Sequence, residues 1–537
     1  MWSKKPLKDF VLWSLLCATV GVMAFQGTRG LYESTEGRYA ECAREMLVSG
    51  DFLRPTLDFA PHWTKPPLTY WAVAAGVHLF GRHAWGARAY LIPTFILTVC
   101  AVYWLGRWMW QAEAGAVSAL VYASMWGPVG AAFTVNADSL LTLWETWALA
   151  CFWWGVRTRR QFPITLMWLF FGLAFFTKGP PGLLPLLALV VLRVFAKSFE
   201  VRSTRFWVPA GMGLGLVTAL WWYLWAIAHY PGLLSYWLKH EVVGRVVTDE
   251  FERHPHWYEM FTVYWRFLLG GSLPWLAAVL WMERHRLVAW GRGLAGQGFR
   301  THLEAWALFW RNLSIQGKFL AFGFWVPLAV FSFSRSRLPL YVLPLMPLIS
   351  CAMGHRIGNL LSQGRISQKG LVTLALIATM FIVFGKGVMA YWPSKRDMGA
   401  LARAVEAVWP KEEASESRPL YVVSRSPLYG LRFYWGDSLI RVYPKADKVP
   451  PPGFHPLSIL TTPSGPEPIS PYKGKRVVAQ RGDVLKLLEH LQREGYRADS
   501  RPLTRYWSLL EVKRVTEDNP GRSIGASGAS PRSALVF

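Results

Sequence analysis

Long apolar runs constrain this chain more than any other feature. They lie near residues 10–27, 86–106, 114–132, 139–156, 162–177, 181–196, 207–229, 264–282, 317–334, 338–354 and 370–391. Many approach the ~20 residues that carry a helix across a bilayer. A segment in lipid must satisfy its own backbone polar groups, so these runs imply an all-α polytopic membrane bundle of about eleven transmembrane helices. Composition agrees: 53% of the residues are hydrophobic and only 17% charged, against about 25% charged in a soluble domain.

The net charge of +25 raises nucleic acid as a partner, but its placement argues against that. Basic residues collect in alternate short loops: Lys4, Lys5 and Lys8; Arg157, Arg159 and Arg160; Lys197, Arg202 and Arg205; Arg284, Arg286, Arg292 and Arg300; Arg356, Arg365 and Lys369. With the N-terminus in the cytoplasm every one of these loops is cytoplasmic, which is the positive-inside pattern. The chain is therefore expected in the cell inner membrane among membrane lipids. Residues 28–85, Thr134 to Asp138, Thr177 to Pro181, 230–263 and Ser334 to Arg337 then face outward. The five cysteines are scattered without a C-x-x-C pair, so neither a disulfide framework nor a cysteine metal site is indicated. The basic, then apolar, N-terminus has no convincing cleavage site and reads as an uncleaved first span.

Character changes near residue 394. SKRDMGALARAVEAVW is amphipathic at helical spacing, PLYVVS, SLIRVY, LSILTT, RVVAQ and WSLLEVKRV read as short strands, and GDVLKLLEHLQREG as a helix. The expected division is a transmembrane domain over 1–393, a small C-terminal α/β extramembrane domain over 394–515 on the periplasmic or extracellular side, and a disordered tail over 516–537.

The outer loop 28–85 carries the charged stretch STEGRYAECAREMLVSGD. Thr35 or Ser34 is expected to cap a helix beginning at Glu36. Glu36 shares its face with Tyr39, Ala40, Ala43 and Leu47, while Arg38, Glu41 and Glu45 lie opposite. That predicts an interfacial helix with charges on its wet side and one carboxylate turned inward. Glu36 can be a helix-dipole partner or a carboxylate in a cleft, and Arg38 can pair with Glu41. The two prolines after Lys65 start a second interfacial helix. A lysine at a helix start gains nothing from the dipole, which an anion facing it would explain.

The stretch TEGRYAECAREMLVSGDFLRPTLDFAPHWTKPPLTYW resembles the first outer loop of the bacterial aminoarabinose transferases and PMT-like (dolichyl-phosphate-mannose-protein mannosyltransferase-like) enzymes, with their D-E-x-R-Y-A-E, A-R-E-M, S-G-D, E-K-P-P and Y-W elements. Downstream, NADSLLTLW, FFTKGPPGLLP, RHPHWYEMFTVYWRFLLGGSLPW and SFSRSRLPLYVLPLMP are similar to the family's D-x-L-L-T, T-K-G-P, P-x-W-Y with L-P-W, and S-x-S-K-L-P-x-Y-x-L-P segments, in order. The resemblance implies a C-type glycosyltransferase fold and transfer of a sugar from a polyprenyl-phosphate donor on the outer face of the membrane. In the aminoarabinose members the acceptor is lipid A. It also implies a first-loop carboxylate in catalysis and nearby cations on the donor phosphate. Two positions depart from the pattern. Thr35 stands where the first acid of D-E is usual, which moves the catalytic expectation to Glu36, and Thr64 stands where some members carry a metal-ligating glutamate. No cofactor is expected and no metal ligand is assigned, with a divalent ion left open.

Breaking a polyprenyl-phosphate sugar at its anomeric carbon passes through an oxocarbenium-like state. The enzyme must orient the acceptor, take its proton and neutralise the departing phosphate. The outer face supplies Glu36 and Asp138 as candidate catalytic carboxylates, and Arg38, Lys65, Lys178 and Arg337 as candidate phosphate-binding cations. Tyr39, Tyr70 and Tyr341 are candidate cleft residues. Each lysine alone fits ordinary snorkelling, and Asp138 fits a helix cap. His240, His254 and His256 lack a metal-binding helix spacing. The leading expectation is an inverting hexosyl- or pentosyltransferase with a lipid or protein acceptor. A transporter or flippase of lipid-linked sugars is the alternative, and it would move its substrate without consuming it; no inverted repeat supports it. A binding scaffold for envelope assembly is the third class.

Overall fold

The computed structural model describes residues 4–195, 199–244, 254, 256–294, 304, 308–407, 420–423, 428–436, 439–442, 476–480, 492 and 496–514. They fall into two compact units, each considered separately. The first runs to Arg403 and includes Pro427–Gly436.

This first unit is helical. Among the described residues, six helices are long and apolar enough to cross a membrane, or seven if the bent pair Phe261–Gly271 and Trp275–Met282 is one span. The six are Ala84–Met109, Gln161–Lys178, Pro209–His229, Ile315–Phe333, Pro339–Ser362 and Gln368–Tyr391. The other expected spans also begin or contain helices, including Lys4–Met23 and Asp138–Thr158. The run at 114–132 is broken into Ala112–Ala123 and Trp126–Ala131. The break frees the Trp126 N–H, which donates to Leu273 O at 3.1 Å. The run at 264–282 bends by 75° just before Pro274, whose missing N–H cannot continue a helix.

Large side chains such as Phe10, Phe152, Trp153, Phe171 and Trp275 fill the bundle interior. Small residues let backbones approach. A Cβ on Gly106 would stand 2.8 Å from Gly115 Cα, on the neighbouring helix, the close packing that substitutes for a hydrophobic drive inside lipid.

The outer loop forms helices Thr35–Ser49 and Leu68–Phe80, joined through the two-residue strands Thr56–Leu57 and Ala60–Pro61. The first helix ends at Gly50 with φ 70°, its N–H returning to Met46 O at 3.0 Å. Its start differs from expectation: Ser34 makes no side-chain cap bond. Its sidedness differs too. Glu41 and Glu45 are fully buried, and Arg44 nearly so. The supposedly wet face is covered by the short helix Tyr429–Trp435, whose Arg432 stands 3.3 Å from Glu41 and also pairs with Asp58. Sequence reasoning passed over Tyr429–Trp435 because seven residues carry too little periodicity to register.

Among its described residues the second unit holds a mixed five-stranded sheet: Leu439–Val442, Leu420–Val423, Arg476–Gln480, Trp507–Arg514 and Tyr496–Pro502, in that spatial order. The first two pairings are parallel and the last two antiparallel. Tyr496–Pro502 was not anticipated. LSILTT, the GDVLKLLEHLQREG helix apart from one residue, and the tail 516–537 lie outside the described residues.

Candidate active site

Two charged groupings lie at one end of the bundle, and they are chemically unlike. The first is centred on Glu36, which is fully buried. Arg88 reaches both of its oxygens, Nε to Oε1 at 2.8 Å and Nη2 to Oε2 at 2.9 Å. Arg29 Nη1 donates to Oε2 at 2.6 Å. Backbone N–H groups of Tyr32 and Val135 donate to Oε2 and Oε1, each at 2.9 Å. Burial alone would raise the Glu36 carboxyl, but Arg88 and Arg29 outweigh it and hold it at about 2. Such a group has its lone pairs occupied and little tendency to take a proton. Its geometry therefore fits a tie rather than a base. It joins the end of the first helix, the loop helix, the Arg88 segment and the Thr134–Asp138 turn.

Neither Arg29 nor Arg88 was singled out in the sequence. Arg29 also donates to Phe133 O at 2.7 Å and lies over the rings of Tyr32 and Phe133. Arg88 also holds the carbonyls of Gln26, Arg29 and Gly30. The signal available was two arginines outside the cytoplasmic loops, as for Lys65, but without a motif to mark them.

The second grouping collects most of the remaining candidates. Asp138 opens the helix Asp138–Thr158 and pairs with Lys178, the last residue of Gln161–Lys178. Asp138 is not the cap of its helix. That work falls to Asn136, whose Oδ1 accepts from Ser139 N at 2.7 Å. The turn is fixed further by Tyr90, which exchanges hydrogen bonds with the Asn136 backbone. Lys178 Nζ lies 4.1 Å from the centre of the Tyr341 ring. Lys65 Nζ donates to Tyr39 OH, and Tyr39 packs on Tyr70 with ring centres 5.4 Å apart. Lys65 is half-buried. Burial and then the charge of Lys178 lower its ammonium to about 7, with Asp138 pulling the other way. Burial pushes the Tyr39 phenol up to about 12.

Arg38 borders the same cluster, since its charge acts on both Tyr39 and Lys65. It does not pair with Glu41, which Arg44 takes in two bonds of 2.8 and 2.9 Å. Among the described residues Arg38 makes no side-chain ion pair. Three cations thus face one carboxylate, an excess suited to an anion.

Arg337 is engaged elsewhere. Its guanidinium donates to the carbonyls of His254, His256 and Ser332 at 2.8, 2.9 and 2.9 Å. It holds the backbone at His254 and His256. His254 itself faces Glu259 at 3.1 Å.

Among the described residues no group of three or more His, Cys, Asp or Glu side chains could hold a metal ion. At the position where a glutamate would be a ligand, the Thr64 hydroxyl bonds His62 Nε2 at 2.8 Å. These residues do not fit a first-loop metal site.

The fold is shared with solved structures. The chain is similar over 97% of its length to the crystal structure of ArnT from Cupriavidus metallidurans bound to undecaprenyl phosphate, with TM-score 0.68, 19% identity and all of that chain covered. The apo state of the same protein gives 0.64 at 21% identity, over 94% of this chain and 97% of that one. At these identities the likeness shows the fold alone. Residues 64–225 match the family model described as dolichyl-phosphate-mannose-protein mannosyltransferase. An undecaprenyl phosphate-alpha-4-amino-4-deoxy-L-arabinose arabinosyl transferase of Pseudomonas fluorescens is 29% identical over 63% of this chain and 58% of its own length. A Pseudomonas aeruginosa protein of the same description is 28% identical over 74% of this chain and 71% of its own. Over these stretches the chain is similar to aminoarabinose transferases and to the dolichyl-phosphate-mannose-protein mannosyltransferase model.

Proposed function

We propose that the chain is an inverting glycosyltransferase that moves a sugar from a polyprenyl-phosphate donor to a lipid A-like acceptor at the outer face of the inner membrane. The observation that carries this reading is the cation-rich cluster of Lys65, Lys178 and Arg38 around Asp138, at the ends of apolar helices. Cations at that depth need a local anion, and a lipid-linked phosphate is one. Relatives named as undecaprenyl phosphate-aminoarabinose transferases favour an amino-pentose over a hexose.

The acceptor attacks the anomeric carbon on the face opposite the phosphate. The carbon–oxygen bond to phosphate breaks, and its electron pair stays with the phosphate. Lys65, Lys178 and Arg38 stabilise the charge that develops there. Asp138 orients the acceptor and takes its proton, with Lys178 holding the carboxylate in place. Tyr39, Tyr70 and Tyr341 wall the cleft. Glu36 serves as the tie that sets the Val135–Asp138 turn, and Arg337 steadies the loop beside the site.

About eleven spans, a cytoplasmic N-terminus and an outward α/β domain over 394–515 complete the reading. The test is transfer in proteoliposomes holding undecaprenyl phosphate-4-amino-4-deoxy-L-arabinose and lipid A. Sugar should move to lipid A with release of undecaprenyl phosphate, and Lys65→Ala should weaken donor use. Movement of intact donor across the membrane would instead support a transporter.

A further inference from the structure

Glu145 is a carboxylate that the site described above leaves unused. It is 3% exposed and lies within the apolar helix Asp138–Thr158. Seven residues separate it from Asp138, so the two share a helix face with Thr142 between them. That separation places it about 10 Å further into the bundle, measured along the helix axis. Glutamate side chains tilt toward the helix N-terminus, which brings its carboxylate back toward Asp138.

The Glu145 carboxylate makes no hydrogen bond and no ion pair among the described residues. Two neighbours on its helix, Trp144 Nε1 and Trp153 Nε1, are sealed from any partner, whereas the Glu145 oxygens are not among such sealed atoms. The charges that act on it are those of Lys178 and Asp138, the pair at the head of the cluster. The helix carrying Glu145 packs against Gln161–Lys178 and Pro339–Leu345, the elements that bring Lys178 and Tyr341. An acid at membrane depth without a partner is costly and marks a functional position by default.

We infer that Glu145 receives a positively charged group on the donor sugar, an ammonium, and so selects an amino sugar over its hydroxyl analogue. This rests on the reading that the donor's phosphate and anomeric carbon lie at Lys65, Lys178 and Asp138. With that end fixed, the far edge of the ring points down the same helix face. An ammonium there supplies the cation that Glu145 lacks. Lys178 cannot, because it is taken by Asp138. A site built to bind one polar group rejects the analogue without it, since its own buried group is then left unpaired.

The experiment uses full-length protein in proteoliposomes with two donors, undecaprenyl phosphate-4-amino-4-deoxy-L-arabinose and the same lipid with a hydroxyl in place of the amine. Transfer to lipid A gives kcat/KM for each, and thermal shift in detergent gives binding of each. Glu145→Gln should lower the amine-over-hydroxyl preference at least tenfold, and Glu145→Asp should retain part of it. Equal losses on both donors, or an unchanged ratio, would overturn the inference and leave Glu145 a structural acid. If Glu145→Gln does not fold, the ratio in Glu145→Asp decides. If the wild type transfers neither donor yet binds the amine form preferentially through Glu145, the transferase reading fails and this inference stands. If it binds neither with preference, the inference fails.

Discussion

Glu36 accepts from two guanidinium groups and two backbone N–H groups, and this arrangement makes its removal a question of folding. Its folded-state value of about 2 lies below the ordinary 4.5. Stabilisation from a depressed carboxyl is fully present above the unfolded value and is lost as pH falls through the folded one. The shift corresponds to about 3 kcal/mol. Glu36→Gln should therefore lower the melting temperature markedly at neutral pH, and the gap from wild type should narrow as pH drops from about 4.5 toward 2. A Gln variant that melts like wild type but transfers no sugar would return Glu36 to the role of base. Lys65 titrates in the other direction of interest. Its cationic form binds phosphate, and its value of about 7 means the charge fades above neutral pH. The donor's phosphodiester keeps its charge throughout. Donor affinity should fall by up to tenfold per pH unit above about 7, the slope of a single titrating group, while Lys65→Arg should show a flat profile. Binding titrations from pH 6 to 9 decide this.

The start of the helix Thr35–Ser49 and its inward Glu36 were legible because apolar spacing is a local signal, although Ser34 makes no cap bond. Its environment was not legible. Amphipathic spacing says that two faces differ and is silent on what covers the charged one. Here Arg432, from nearly four hundred residues away in sequence, adds a second cation to Glu41 beside Arg44, and no local pattern announces that addition. The result is a buried acid pair on one helix. Glu45 accepts from the Thr56 hydroxyl at 2.6 Å and from Phe59 N at 3.0 Å. Burial and then the neighbouring Glu41 raise its carboxyl to about 7. A carboxyl with a raised folded value costs stability as pH climbs from the ordinary carboxylate range through that value. Glu45→Gln keeps an acceptor for both donors and removes the like charge. It should melt close to wild type near pH 5 and above wild type at pH 8, by a margin of up to ~3 kcal/mol. A variant less stable than wild type at pH 8 would show that Glu45 is held as a needed anion.

At the scale of the whole molecule, hydropathy and the distribution of Lys and Arg are the most readable features, because lipid imposes them on any sequence. The cluster was readable in part for the same reason. Lys65 and Lys178 are cations outside the Lys- and Arg-rich loops, and the structure brings Lys178 to Asp138 and Lys65 to Tyr39. Arg29 and Arg88 obey the same logic, yet both converge on one carboxylate, Glu36, a property of three-dimensional packing. Glu145 was hidden by a different effect, since one acid inside an apolar run barely alters its hydropathy. Arg337 donates to the chain's own carbonyls, a contact the sequence does not reveal because a cation beside a motif looks the same whether it meets a ligand or backbone. The topology itself remains the prediction with the widest consequence. If positive charge sets orientation, Gly364, in the basic turn between Pro339–Ser362 and Gln368–Tyr391, is cytoplasmic. Gly232, after Pro209–His229, then faces outward beside the site. Single cysteines placed at these two exposed turns, in a chain with its five native cysteines replaced, should react oppositely with a membrane-impermeant maleimide on inner-membrane spheroplasts. Gly232→Cys should label in intact spheroplasts and Gly364→Cys only after lysis. The reverse pattern would put Lys65, Lys178 and Asp138 on the cytoplasmic face, and with them any phosphate they bind.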